Sequence, residues 1–196
     1  FDPGVETSAD IYHFDNFYAV SAGACGGVTL DPSILDDFEC NRNATYVNGW
    51  DSLTVIPNPA PNAVNASSLV GKFVDQLGEP WNGLLIDYQN PIDLSTNNQF
   101  NAKIWSSKAT RILFKLEGGA SAPNEVWADI TELNQWVDYS IDFSSQALAS
   151  HKKMIMFFNA GNEPEVGDVY FVDNFAWGEK TIEDIENFEN GASLPW

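Results

Sequence analysis

The chain has 196 residues, with 9 Lys and Arg against 28 Asp and Glu, and a formal net charge of −19 at pH 7. Hydrophobic residues make up 44% and aromatic residues 13%, which is too much apolar surface for a disordered acidic tail. The negative charge argues against nucleic-acid or anionic-membrane partners, because phosphate binding requires clustered Lys and Arg, and no apolar run is long enough for a membrane-inserted helix.

The two ends of the chain repeat parts of its interior. Residues 10–17 (DIYHFDNF) resemble residues 168–175 (DVYFVDNF), and residues 34–39 (ILDDFE) resemble residues 184–189 (DIENFE). Two such matches in the correct order indicate a unit of about 150 residues in a tandem array. We therefore expect residues 1–20 to be the last strand of a preceding module and 21–32 a linker. Residues 33–178 would form one complete module, and 179–196 a linker with the first strand of a following module.

The chain contains a single possible cysteine pair. Cys25 lies in the predicted linker and Cys40 just after the predicted first strand, 15 residues later. In a secreted acidic protein this spacing favours a disulfide between linker and module, with two free thiols as the alternative. Closing a loop of that size stabilises a domain by about 3 kcal/mol.

The complete module is predicted to consist almost entirely of strands. Short β-rich runs separated by turn residues such as Asn-Pro, Glu-Pro and Gly-Gly occupy 68–75, 83–89, 101–107, 110–117, 125–131, 136–143, 153–159 and 168–177. One helical turn is expected within 145–151. Strands at this spacing predict an all-β, antiparallel β-sandwich of the jelly-roll type.

Alternation along the strands assigns side chains to faces. In the strand at 110–117, Lys115 and Glu117 are predicted to point outward, and Trp127 and Trp105 point outward from their own strands. An indole on the polar side of a strand is unusual, and it requires either a ligand or a local covering.

Catalytic motifs are absent from the sequence. No nucleophile elbow, phosphate-binding loop or His/Cys metal cluster is present, and His151, the only His of the complete module, is expected in a solvated loop. A carboxylate pair of the glycosidase kind stays open among the many acids. The sequence predicts a module that is not an enzyme.

Seven short phrases occur in an order that is similar to a known family. They are DFE at 37–39, NP at 58–59, NAS at 65–67, WNG at 81–83, PIDLS at 91–95, KLE at 115–117 and VDNF at 172–175. Together they resemble a β-jelly-roll carbohydrate-binding module repeated in secreted laminarinases and surface glycan-binding proteins of marine polysaccharide-degrading bacteria. The resemblance covers residues 35–178. It implies an extracellular, cell-surface location, binding of laminarin-type β-1,3-glucan, and a structural calcium ion (Ca2+).

The calcium site is expected where the first and last strands of the module lie side by side. Asp37 and Glu39 are predicted on the first strand and Asp173 on the last. Three carboxylates brought together repel one another unless a hard cation binds them. Exposed acids without an ion are the alternative.

The glycan site is predicted from exposed indoles, on which the C–H faces of sugar rings stack. Trp105 and Trp127 would form the floor with Trp81 and Trp50 from loops, while two further side chains, Lys115 and Glu117, would bind hydroxyl groups. Trp136, at the start of its strand, is expected in the core. Any of the other indoles could also be buried for packing alone, because a large side chain is seldom fully covered.

Three functions are consistent with a non-catalytic β-sandwich module that carries exposed indoles. The first is non-catalytic binding of a neutral polysaccharide by a surface glycan-binding protein, since sulfated or uronic polymers would be repelled by the negative charge. The second is a structural spacer or adhesion module that contacts neighbouring modules of the chain. The third is an accessory module of a larger glycanase.

Overall fold

The computed structural model describes residues 25–47 and 53–180. These residues form ten strands and one 3-10 turn (Ser144–Gln146). The strands are β1 (Ile34–Asp36), β2 (Leu53–Pro57), β3 (Leu69–Val74), β4 (Gly83–Asp87), β5 (Gln99–Ser106), β6 (Thr110–Glu117), β7 (Asn124–Ile130), β8 (Trp136–Asp142), β9 (Lys153–Phe158) and β10 (Val169–Gly178). The predicted end strands at 1–20 and after 180 lie outside the described residues, as does Trp50.

The strands form two antiparallel sheets, which confirms the predicted all-β sandwich. One sheet has the order β2-β3-β10-β5-β8, with β1 also pairing to β10, and the other has the order β4-β9-β6-β7. The first and last strands of the module are therefore neighbours, as expected. Within the described part of the chain, no helix is long and apolar enough to cross a membrane.

The core lies between the two sheets and is rich in phenylalanine. Alternate residues of each strand point inward, and the largest fully buried side chains include Phe38, Phe73, Phe100, Phe114 and Phe158. Aromatic rings of this size supply most of the apolar area that stabilises a sandwich. Trp177 packs against Phe100 and Phe143, and its Nε1 donates to the Tyr88 hydroxyl over 2.9 Å.

A loop covers the outer face of the six-stranded sheet. Trp136, at the start of β8, is only 2% exposed, and its Nε1 donates to Asn58 Oδ1 over 3.3 Å. Farther along the same loop, Val64 accepts a hydrogen bond from Lys103 Nζ over 2.6 Å. The loop between β2 and β3 thus buries indole surface on this sheet. Trp136 is buried, as predicted, but on the outer face of this sheet rather than in the core between the two sheets.

A disulfide joins the segment before β1 to the bend after it. Cys25 and Cys40 are bonded at 2.06 Å, and the residues between Gly26 and Ser33 are exposed. The bond ties this exposed segment to the sandwich.

Candidate functional site

The outer face of the four-stranded sheet carries a continuous apolar row. The strand register places Gly83, Phe157, Leu113 and Trp127 side by side across β4, β9, β6 and β7. The row below it contains Leu85, Ile155, Lys115 and Glu125. Apolar side chains on an outer sheet face are unexpected unless they serve a contact, so this face is the first candidate for a binding surface.

Trp81 stands at one end of the apolar row. It precedes β4 in the β3–β4 loop, is 58% exposed, and meets Phe157 edge-on, with ring centroids 5.9 Å apart and an interplanar angle of 85°. The two rings form a right-angled corner. Beside it lies a groove of about 220 Å³, which is lined by residues including Val47, Glu79, Leu85 and Ile155.

Trp127 stands at the other end of the row and is 40% exposed. The Arg111 guanidinium lies 4.7 Å from the centre of its indole ring, a cation–π contact. Arg111 Nε is also 2.9 Å from Asp129 Oδ1. Because both partners of this ion pair are well exposed, a ligand can displace the guanidinium at little cost.

Paired charges flank the aromatic residues. Lys115 Nζ is 3.1 Å from a Glu117 oxygen and 3.8 Å from a Glu125 oxygen. The face therefore presents hydrogen-bond donors and acceptors together, and both Lys115 and Arg111 already have carboxylate partners. This arrangement suits an uncharged polar ligand better than an anionic one.

The structure brings together four of the predicted ligand-binding residues on this face: Trp81, Trp127, Lys115 and Glu117. Trp105 does not join them, and its place in a common floor is wrong, because β5 pairs with β8 and β10 in the other sheet. There its ring packs 5.0 Å from Phe171.

Sequence reasoning missed the middle of the row. Phe157 lies in the run KMIMFF, in which every residue after the Lys is apolar, so alternation could not assign a face. Leu113 points outward from β6 yet is only 2% exposed, because Phe157 and Trp127 flank it in the row. The pairing of strands was the missing signal for both.

The structure does not gather the three predicted carboxylates, Asp37, Glu39 and Asp173, into one group. The described residues contain no group of three or more His, Cys, Asp or Glu side chains that could hold a metal. β1 ends at Asp36, so Asp37 and Glu39 follow the strand rather than lie on it. The carboxylate of Asp37 turns to Asn41, accepting from its backbone N–H over 2.9 Å and its Nδ2 over 2.6 Å.

A smaller oxygen cluster remains around Asp173, in β10. Asp173 is fully buried and its Oδ2 has no hydrogen-bond partner. Burial raises the pKa of Asp173 to about 6, the side chains of Ser67 and Asn65 lower it, and the Glu39 charge raises it. The unpartnered Asp173 oxygen and the nearby Glu39 carboxylate are candidate ligands for a hard cation, whereas the Asn65 amide oxygen already accepts from the Ser67 N–H over 3.1 Å.

His151 is not in a solvated loop, as its position had suggested. Its side chain is fully buried, with Nε2 3.1 Å from Gln146 Oε1, and burial lowers its pKa. His151 does lie in the loop between the 3-10 turn and β9, and only its expected exposure was wrong, because the adjacent Lys152 and Lys153 suggested a solvated stretch.

Comparisons with known proteins give the fold. No known protein family and no curated protein matches this sequence. Among solved structures, an exo-β-agarase is similar over 78% of this chain at 14% identity, with a TM-score of 0.55, and this chain spans 26% of that one. The family 11 carbohydrate-binding module of a Clostridium thermocellum cellulosomal cellulase is similar over 78% of this chain and 96% of its own, at 12% identity and a TM-score of 0.49. A variant of a family 29 carbohydrate-binding module is similar over 74% of this chain and 88% of its own, at 11% identity and a TM-score of 0.48.

Proposed function

We propose that this protein is a non-catalytic carbohydrate-binding module and that the outer face of its four-stranded sheet binds the glycan. The observation that carries the proposal is the apolar row with an exposed indole at each end, Trp81 and Trp127. Exposed indoles are costly to leave in water, and the C–H face of a sugar ring is a ligand that covers them while its hydroxyls stay hydrogen-bonded.

The row also has the length of an oligosaccharide site. It crosses four neighbouring strands, and three strand spacings amount to about 14 Å. A short run of sugar rings lying across the strands can reach from Trp81 to Trp127. Lys115 and Glu117, in the adjoining part of the face, would then bind hydroxyl groups along its side.

The leading ligand is a neutral β-1,3-glucan of the laminarin type. The net charge of −19 and the paired cations on the face disfavour anionic polymers. The right angle between Trp81 and Phe157 disfavours a flat, stacked ribbon, because the two rings cannot lie on one plane. A soluble chain whose successive rings turn relative to one another meets both surfaces.

The wider setting is proposed on the same basis. Glu39 and Asp173 would hold a structural calcium ion that supplies positive charge to the buried carboxylate. The Cys25–Cys40 disulfide favours an extracellular location, since such bonds persist in oxidising compartments. The module would act beside neighbouring modules, in a surface glycan-binding protein or as an accessory part of a glycanase.

Affinity electrophoresis tests the proposal. The chain is run through native gels containing laminarin, mixed-linkage glucan, xylan or alginate, together with the variants Trp81→Ala and Trp105→Ala. We expect laminarin to retard the wild type and Trp105→Ala strongly, and Trp81→Ala weakly. Equal mobility of the wild type in every gel would refute glycan binding and favour the spacer function.

A further inference from the structure

Gly161 contacts the exposed indole of Trp81 from a different loop. It lies in the connection between β9 and β10 and has a φ of +79°. A Cβ atom on this residue would lie 3.1 Å from Cζ2 of Trp81 and 3.3 Å from its Cη2. Contacts of this length are tighter than about nine in ten real Cβ contacts, so a methyl group at this position requires the indole to shift by a few tenths of an ångström.

The backbone of Gly161 also fixes the loop that carries Trp81. Its N–H donates to the carbonyl of Pro80, the residue before Trp81, over 2.8 Å. On the other side of the tryptophan, Asn82 donates from Nδ2 to the Val74 carbonyl over 3.3 Å. The loop that carries Trp81 is thus hydrogen-bonded both to the end of β3 and to the β9–β10 connection.

We infer that Gly161 is a positioning residue for the glycan site: by contacting Trp81 and Pro80 it holds the indole at a right angle to Phe157. This inference rests on the proposed function. The right-angled arrangement of Trp81 and Phe157 then depends on two loops, the β3–β4 loop that carries Trp81 and the β9–β10 connection that carries Gly161. The β9–β10 connection therefore influences glycan affinity without itself stacking on a sugar.

The chain contains a matched control for the substitution. Gly167 lies in the same connection, has a φ of +90°, and has no atom within 4 Å of where its Cβ would be. Gly161→Ala and Gly167→Ala therefore introduce the same methyl group at a similarly strained backbone. Only Gly161→Ala pushes on the indole.

The experiment is a double-mutant cycle measured by laminarin affinity. We expect Gly161→Ala to weaken binding about three- to tenfold and Gly167→Ala less than about twofold. In the Trp81→Ala background, Gly161→Ala should have no further effect. Equal affinities of Gly161→Ala and Gly167→Ala, or additive losses in the double variant, would overturn the inference.

A second readout separates this inference from the proposed function. In protein labelled with 5-fluorotryptophan, the ¹⁹F resonance of Trp81 is assigned from its loss in Trp81→Phe. It should shift in Gly161→Ala and stay in place in Gly167→Ala, whether or not laminarin binds. A wild type that does not bind laminarin would refute the proposed function alone, whereas an unmoved Trp81 resonance would refute the positioning role.

Discussion

Two tryptophans on the outer faces of opposite sheets should respond to alanine in opposite ways. Trp136 is 2% exposed beneath the β2–β3 loop, whereas Trp127 is 40% exposed on the face assigned to the glycan. Trp136→Ala should mainly lower the free energy of unfolding. Trp127→Ala should mainly lower affinity for laminarin.

The exposed fractions give the size of the difference. With about 250 Å² for a whole Trp side chain, Trp136 buries about 245 Å² and Trp127 about 150 Å². At about 25 cal/mol per Å² these areas correspond to upper bounds of about 6 and about 4 kcal/mol. Loss of the Trp136–Asn58 hydrogen bond adds about 1 kcal/mol to the destabilisation by Trp136→Ala. Trp136→Ala should therefore be the more destabilising by up to about 3 kcal/mol.

Urea unfolding measures the stabilities, and calorimetric titration with a soluble laminarin oligosaccharide measures the affinities. Trp127→Ala should weaken binding by about 1–3 kcal/mol, or about 5- to 150-fold. Folded Trp136→Ala protein should bind within about twofold of the wild type, since the proposed glycan site lies on the other sheet. Equal destabilisation by the two substitutions, or normal binding by Trp127→Ala, would refute this reasoning.

Three further predictions concern the metal, a buried acid and the Trp127 ring. Chelation should lower the thermal midpoint of unfolding, and added calcium should raise it with the logarithm of the calcium concentration. The Glu39→Gln variant should show neither change. A wild-type midpoint that is unchanged by chelator would contradict the calcium site. Burial and the Asp168 charge raise the pKa of Asp75 to about 7, although the Lys108 charge opposes them. The protonated Asp75 therefore contributes stability that is complete below about pH 4 and is lost as the pH rises through 7. Between pH 5 and pH 8 the free energy of unfolding of the wild type, measured in urea, should fall by up to about 3 kcal/mol, whereas that of Asp75→Asn should not show this fall. Identical pH profiles of the two proteins would exclude the effect. Arg111→Ala should strengthen laminarin binding about two- to fivefold by removing the cation from the Trp127 ring, whereas weaker binding would make Arg111 a ligand contact.

The fold was predictable because local patterns decide it. Turn residues and alternation gave eight of the strands to within about two residues of their ends, including β6 at 110–117. β2 was missed, although Asn48-Gly49 before it and Asn58-Pro59 after it are turn signals. Strand order was not predictable in the same way, because it depends on pairings between residues far apart in sequence.

The site was only half predictable for the same reason. Alternation correctly pointed Trp127 and Lys115 outward, but it could not say that β5 and β7 belong to different sheets, and so Trp105 was placed with the wrong partners. Asp37 was assigned to a metal because its neighbours suggested a strand. Because the chain bends after Asp36, the carboxylate of Asp37 instead accepts hydrogen bonds from Asn41.

Amide and indole chemical-shift mapping during titration with a laminarin oligosaccharide tests the central claim most directly. We expect the shifts to cluster on the outer face of the four-stranded sheet, including the indole N–H groups of Trp81 and Trp127 and the amide of Lys115. The indole N–H groups of Trp105 and Trp136 should stay in place. An absence of shifts, or shifts confined to the six-stranded sheet, would contradict glycan binding on the outer face of the four-stranded sheet.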